Sequence, residues 1–88
     1  MSSTVIVPQQ LRNYTGGKVS VPVQGDTIDA AMADLDRQYP GIRFRVIDEQ
    51  GQIRQHMRIF VNGDRSRSIG QTLARGSEVH IFGALSGG

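Results

Sequence analysis

The stretch Gly25-Asp26-Thr27-Ile28-Asp29-Ala30-Ala31-Met32-Ala33-Asp34-Leu35-Asp36-Arg37-Gln38-Tyr39-Pro40-Gly41 decides the fold. Ile28, Ala31, Met32, Leu35 and Tyr39 recur three and four residues apart, the spacing that lines one face of an α-helix. A helix is expected over about residues 27–38. Asp26 or Thr27 can accept hydrogen bonds from its unpaired first amides, and Asp29 suits its positive end. Pro40-Gly41 stops it. Asp34, Asp36 and Arg37 are expected on the exposed side, which makes the paired carboxylates a solvated surface rather than an acid–base couple.

On the N-terminal side, Thr4 to Pro8 reads as a strand rich in branched residues. Thr15-Gly16-Gly17-Lys18 reads as a turn, and Lys18 to Val23 as a second strand with Val19, Val21 and Val23 on one face. A hairpin is expected. On the C-terminal side, Ile42, Phe44 and Val46 alternate with Arg43 and Arg45 and predict a strand, followed by a turn at Asp48-Glu49-Gln50-Gly51. Met57, Ile59 and Val61 predict another strand, closed by the tight-turn pair Asn62-Gly63. A short helical turn is expected over Gln71 to Ala74. Glu78 to Phe82 forms the last strand, with Val79 and Ile81 inward. The order is hairpin, helix, strands, final strand. That is an α+β fold in which a mixed β-sheet packs on one main helix.

The remaining composition excludes more than it assigns. The chain has 88 residues, enough for one core. With no cysteine, it has no disulfide scaffold, thiolate metal site or cysteine nucleophile. His56 and His80 are far apart in sequence, so no metal site is expected. No secretory or membrane segment is apparent, because Val5-Ile6-Val7 ends at Pro8. A cytoplasmic location without membrane association is expected. Gly16-Gly17-Lys18 resembles a phosphate loop only in passing: Val19 stands where Ser or Thr should bind magnesium, and Arg12 where the first glycine should be. No set of acid, base and nucleophile is visible, so the chain is not expected to be an enzyme.

Charge is uneven: residues 1–40 carry a net −1 and residues 41–88 a net +3. Arginines could neutralise phosphates, but only Phe60 and Phe82 are available for base stacking on outer faces, and no nucleic-acid partner is expected. If Met57, Ile59 and Val61 face the helix, Phe60 and Arg58 face away, and His80 and Phe82 do the same on the last strand. Phe60, Phe82 and Arg58 are therefore a candidate partner patch. The competing readings are a solvated sheet face, or a phenylalanine that covers the segment around Gln71 to Ala74.

The chain closes with Phe82-Gly83-Ala84-Leu85-Ser86-Gly87-Gly88. A terminal carboxylate has a pKa near ~3.5 and is ionised at neutral pH, so it can attack phosphorus. Glycine has no Cβ, and a Gly-Gly end fits a narrow channel. Residues 83–88 extend roughly 20 Å, enough to enter another protein's active site. Adenylation by ATP would turn the carboxylate into an electrophile, and a partner must supply the nucleotide site. The unit is accordingly read as a domain over residues 1–82 with a flexible Gly-Gly tail over 83–88.

Together the hairpin, Leu11-Arg12, Thr15-Gly16-Gly17, Gly25-Asp26-Thr27-Ile28, Tyr39-Pro40-Gly41-Ile42, Ile59-Phe60-Val61-Asn62-Gly63-Asp64 and Gly87-Gly88 resemble the ubiquitin-like sulfur carriers of the MoaD/ThiS type, most of all the CysO-like branch. The resemblance spans nearly the whole chain and implies a β-grasp fold. It implies that the Gly88 carboxylate is the reacting (catalytic) group, adenylated and then converted to a thiocarboxylate that donates sulfide. Ala84, Leu85, Ser86 and Gly87 would thread into the partner. The implied partners are a ubiquitin-activating-like adenylyltransferase and sulfurtransferase, a sulfur-accepting synthase of the pyridoxal-phosphate-dependent kind, and a metalloprotease that processes the carrier. ATP and magnesium would belong to the activating enzyme, with no cofactor bound by this chain. Cysteine biosynthesis is the pathway the resemblance favours, with cofactor synthesis and other thiolations as alternatives. A ubiquitin-like modifier forming isopeptides and a non-covalent β-grasp binding module are the rival functions. Related carriers often have proline after the last strand, where this chain has Gly83.

Overall fold

The computed structural model describes residues 2–83. Its elements are β1 (Ser2–Ile6), a 3-10 turn (Gln9–Leu11), β2 (Ser20–Gln24), α1 (Ile28–Gln38), α2 (Ile42–Val46), β3 (Met57–Val61), β4 (Asp64–Ser66) and β5 (Glu78–Gly83). The strands form one mixed sheet in the order β2-β1-β5-β3-β4. β1 and β5 run parallel at its centre, and the other neighbours are antiparallel. This is the α+β arrangement of sheet and main helix expected from the apolar spacing.

Register explains the core. Val5 stands opposite both Val21 and Val79, Val79 opposite Val61, and Ile81 opposite Ile59. Successive strand residues point to opposite faces, so these side chains share one face. All are buried together with Ile28, Ala31, Met32 and Leu35 of α1. The helix thus covers one face of the sheet, and the opposite face carries the alternating residues.

α1 starts as its sequence directs. Thr27 is the N-cap, its side-chain oxygen accepting from the Ala30 amide at 3.1 Å. Just before it, Gly25 has φ 153°. A Cβ at this position would lie 2.6 Å from the Ala31 backbone nitrogen and 2.8 Å from the Ala30 carbonyl carbon. The chain can therefore pass from β2 into α1 only with glycine here.

Several expectations are corrected. Residues 42–46 form the short helix α2, not a strand. Five residues cannot separate a period of two from an i, i+4 pair, and here Ile42 and Val46 are the buried pair while Phe44 is 54% exposed. Gly41 turns the chain with φ 99°. The Asp36 carboxylate then accepts from the Gly41 and Arg43 amides at 3.0 and 3.1 Å, which satisfies donors at the start of α2.

Asp34 is not solvated either. It is 8% exposed, accepts from the Gln24 amide at 3.0 Å and from Gln38 Nε2 at 3.2 Å, and pairs with Arg37. The two carboxylates are thus structural. Asp34 ties α1 to β2, and Asp36 caps α2.

Gln71 to Ala74 form no helical turn. Thr72 instead bridges Thr27, the Leu73 amide donates to the Asp26 carbonyl at 2.8 Å, and Leu73 is buried. Val19 lies before β2 and is 48% exposed; it does not join Val21 and Val23. The link from β1 to β2 runs over residues 7–19 and includes the 3-10 turn, so it is longer than a hairpin turn. β4 was not expected, because Asp64-Arg65-Ser66 has no apolar alternation. It pairs through its backbone after the Asn62-Gly63 turn, whose φ values are 50° and 92°, the signature of a primed hairpin turn.

Gly25→Ala should destabilise the domain by roughly 2–4 kcal/mol, because backbone atoms and not a flexible side chain block the new methyl. Thermal unfolding followed by circular dichroism should show a melting temperature lower by upward of roughly 8 °C.

Candidate functional site

The face opposite α1 holds the partner-patch residues. Phe60 and Arg58 alternate with the buried residues of β3, and Glu78, His80 and Phe82 with those of β5. Antiparallel register sets Arg58 opposite Phe82 and Phe60 opposite His80. The Phe60 and Phe82 rings meet edge to face, with centroids 5.3 Å apart and planes at 89°, a favourable aromatic geometry. His80 stacks on Phe82 at 4.6 Å and 18°. Its Nδ1 lies 3.7 Å from the Glu78 carboxylate.

Phe60, Gly63, Glu78, His80 and Phe82 line an open groove of about 440 Å³. Phe82 is 46% exposed. Neither phenylalanine lines this groove together with the segment over residues 71–74. The turn at the end of the groove is anchored to β5: the Asn62 amide donates to the Glu78 carbonyl at 3.0 Å, and Asn62 Oδ1 accepts from the Glu78 amide at 2.9 Å. An apolar floor with a polar margin suits a protein surface.

At the other end of the groove β5 finishes at Gly83, paired with Met57. Gln10 of the 3-10 turn crosses Gly83, with its side-chain amide where a Cβ on that residue would stand. Glycine at this position therefore accommodates Gln10. A hollow of about 250 Å³ beside it is lined by Pro8, Gln10, Arg12, His80 and Phe82 among others. Ala84, Leu85, Ser86, Gly87 and Gly88 lie outside the described residues.

A second feature was not singled out as a cluster in the sequence. Arg54, Arg58, Arg65 and Arg67 surround a hollow of about 290 Å³ together with Gln55 and Ser66. Loss of hydration, then repulsion from Arg67 and Arg58, lowers the pKa of the Arg65 guanidinium from its ordinary value. Arg65 is an exposed residue, so the like-charge repulsion is the cause that the geometry supports. The excess of arginine after residue 40 was the available signal, but it is spread over a strand, a hairpin and two loops. The β3–β4 pairing brings Arg58, Arg65 and Arg67 together, and the loop before β3 adds Arg54.

Chemically the described surface can bind but has little with which to react. Among the described residues no group of three His, Asp or Glu side chains could hold a metal ion. None of their helices is long and apolar enough to cross a membrane.

Comparison with known proteins matches this geometry to one group. The ThiS family matches residues 5–88. The sulfur carrier protein CysO of Mycobacterium tuberculosis is 38% identical over 93 aligned positions, covering 100% of both chains. A solved BexX/CysO complex from Amycolatopsis orientalis contains a chain that superposes with a TM-score of 0.90 at 28% identity, covering 98% of this chain and 99% of that one. Small archaeal modifier protein 1 of Haloferax volcanii is 32% identical over 71 positions, 80% of each chain. The fold is the β-grasp of these neighbours.

The two faces of β5 should respond differently to truncation. Ile81→Ala, on the buried side, should cost roughly 2–5 kcal/mol. Phe82→Ala, on the open side, should cost about 1 kcal/mol or less, mainly the ring contacts. Urea unfolding of the two variants checks the contrast.

Proposed function

Because the chain belongs to the ThiS family, we propose that it is a sulfur carrier whose Gly88 carboxylate is adenylated and then converted to a thiocarboxylate. The observation that carries this reading is the end-to-end similarity to CysO, with both chains covered in full. A carboxylate oxygen of Gly88 attacks the α-phosphorus of ATP, and pyrophosphate leaves. The acyl carbon is now bonded to a good leaving group. A sulfide-level donor attacks that carbon, AMP departs with the bridging oxygen, and the chain ends in a thiocarboxylate. The sulfur of this ion bonds to an acceptor on the receiving enzyme, and water then cleaves the chain from the acceptor, so that the sulfur stays on the product and the carboxylate is restored.

The chain's own part is to be recognised. Phe60, Phe82 and Arg58 dock on the partner, while Ala84, Leu85, Ser86 and Gly87 thread toward its active site. The activating enzyme, of the ubiquitin-activating type, brings ATP and magnesium and works in the cytoplasm. Cysteine formation by a pyridoxal-phosphate-dependent synthase is the favoured use of the sulfur, with a metalloprotease as processing partner. The BexX/CysO complex supports docking of such a body on a partner protein. The absence of cysteine leaves no internal thiol to intercept the activated acyl group.

The second reading, an isopeptide-forming modifier, is favoured by the similarity to small archaeal modifier protein 1. Lys18 is the one lysine in the chain, so chains of modifiers could form through a single site at most.

Incubation with an activating enzyme, ATP, magnesium and a sulfide donor should replace one terminal oxygen with sulfur, seen by intact-protein mass spectrometry. A variant lacking Gly87 and Gly88 should show no such product. Intact chain that stays unmodified with every adenylating enzyme of its own cell would refute the carrier reading. A ladder of conjugates in denatured cell extract would favour the modifier.

A further inference from the structure

We propose that the arginine-lined hollow is an electrostatic dock for acidic side chains, Asp or Glu, at the mouth of the partner channel that receives the chain's C-terminal end. The inference rests on the carrier reading for the identity of the partner, but the hollow itself is a feature of the folded domain.

Placement comes first. β5 and β3 are antiparallel, with Met57 opposite Gly83 and Arg58 opposite Phe82. Ser66 of β4 stands opposite Ile59, so Arg67 continues toward the Met57 end. Neighbouring strands lie only ~4.8 Å apart. The hollow formed by Arg54, Arg58, Arg65 and Arg67 therefore flanks the end of the sheet from which the chain leaves β5. Arg58 also borders the aromatic patch through its register with Phe82. The apolar and basic surfaces are continuous.

Charge comes second. Of the six other Lys and Arg side chains among the described residues, two have a carboxylate partner: Arg43 pairs with Asp29 at 2.7 Å, and Arg37 pairs with Asp34. The four arginines of the hollow form no such ion pair among the described residues. Arg54 donates to the Phe44 carbonyl at 2.7 Å and lies 4.4 Å over the Phe44 ring. Arg58 donates to the Gln55 and Met57 carbonyls at 2.6 and 2.9 Å. These two are held in place by neutral groups and keep their charge uncompensated. Arg65 and Arg67 extend the same field from an exposed edge. Assembling four like charges without counterions is unfavourable, and an incoming carboxylate relieves that repulsion.

The reach of the tail selects the occupant. Five residues beyond Gly83 span at most ~18 Å when extended. Were the end drawn out to that length inside a partner's channel, its reacting group would lie beyond a Debye length of ~8 Å at physiological salt from the arginines. At that separation the hollow would not hold the nucleotide's phosphates. What faces it is the partner surface around the channel mouth. Carboxylates there would be read bidentately by guanidinium groups.

The test uses the full-length chain. Arg65→Glu/Arg67→Glu reverses two exposed charges, and Arg65→Gln/Arg67→Gln serves as a milder variant should the first fold poorly. With the activating enzyme that thiocarboxylates the unaltered chain, KM for the carrier should rise about tenfold or more at low salt, with kcat nearly unchanged. The salt dependence of kcat/KM should flatten. Unchanged KM and salt slope in both variants overturns the proposal, and so does a loss confined to kcat.

An enzyme-free arm separates this idea from the carrier reading. Octaglutamate added to the isotope-labelled chain at low salt should shift the Nε–H signals of Arg58, Arg65 and Arg67, and the shifts should be lost in the variants. No shift overturns the dock whatever the enzyme assay gives. Shifts in a chain that never acquires sulfur overturn the carrier reading instead. An RNA oligonucleotide that displaces octaglutamate and binds more tightly than it assigns the hollow to phosphates and overturns the acidic-protein proposal.

Discussion

β5 occupies the centre of the sheet, hydrogen-bonded in parallel to β1 on one side and antiparallel to β3 on the other. Both edges of this strand are used, so its direction and register are set twice. Val79 and Ile81 must face α1, and Glu78, His80 and Phe82 must face away. The same constraint determines where the chain leaves the sheet. Gly83 emerges beside Met57, between the Gln10 side chain and the arginine hollow. A strand at the edge could slip by a residue and exchange its faces. A central one cannot do so without breaking two ladders.

Closure of the opposite face depends on a different kind of contact. α1 can lie against the sheet only because Gly25 lets backbone meet backbone at the helix start. Its polar side is then tied down by carboxylates. Asp34 satisfies the Gln24 amide at the edge of β2, and Asp36 satisfies two amides at the start of α2. Carboxylate acceptors of this kind cost stability when left unmatched and give a single arrangement when matched. They keep α1 on one face, and the aromatic groove stays uncovered as a result.

Legibility followed the range of the interactions. α1 was readable because five apolar residues repeat over three turns, and β3 and β5 because their alternation extends over a whole strand. Phe60, Phe82 and Arg58 could be placed on the outer face by counting from Met57 and Ile81. The five-residue stretch at 42–46 was too short: Ile42 and Val46 satisfy both periods, and the choice was made by Gly41 and the Asp36 carboxylate from outside the segment. β4 was invisible because backbone pairing, not side-chain pattern, makes it a strand. The role of Asp34 was equally hidden, since its partner amide lies ten residues earlier in the chain. The arginine cluster joins residues from both sides of a hairpin, and no local pattern marks it. The end of the chain was conspicuous by composition, and it lies beyond the described residues.

The proposed carrier divides its labour in space. The aromatic groove supplies apolar area that is worth more once water is excluded. The arginine hollow supplies a field that acts before contact and orients the approach. Neither would take part in bond making, because the carbon proposed to react is that of Gly88, five residues beyond Gly83. Binding energy gained at the body can therefore be used to hold a Gly-Gly end, whose backbone is the most costly to order, inside a partner's channel. Gly83 and Gln10 lie at the junction of body and tail. In the proposed carrier, recognition and delivery are thus separable properties of one small domain, the first assigned to β3, β4 and β5 and the second to the few residues that follow.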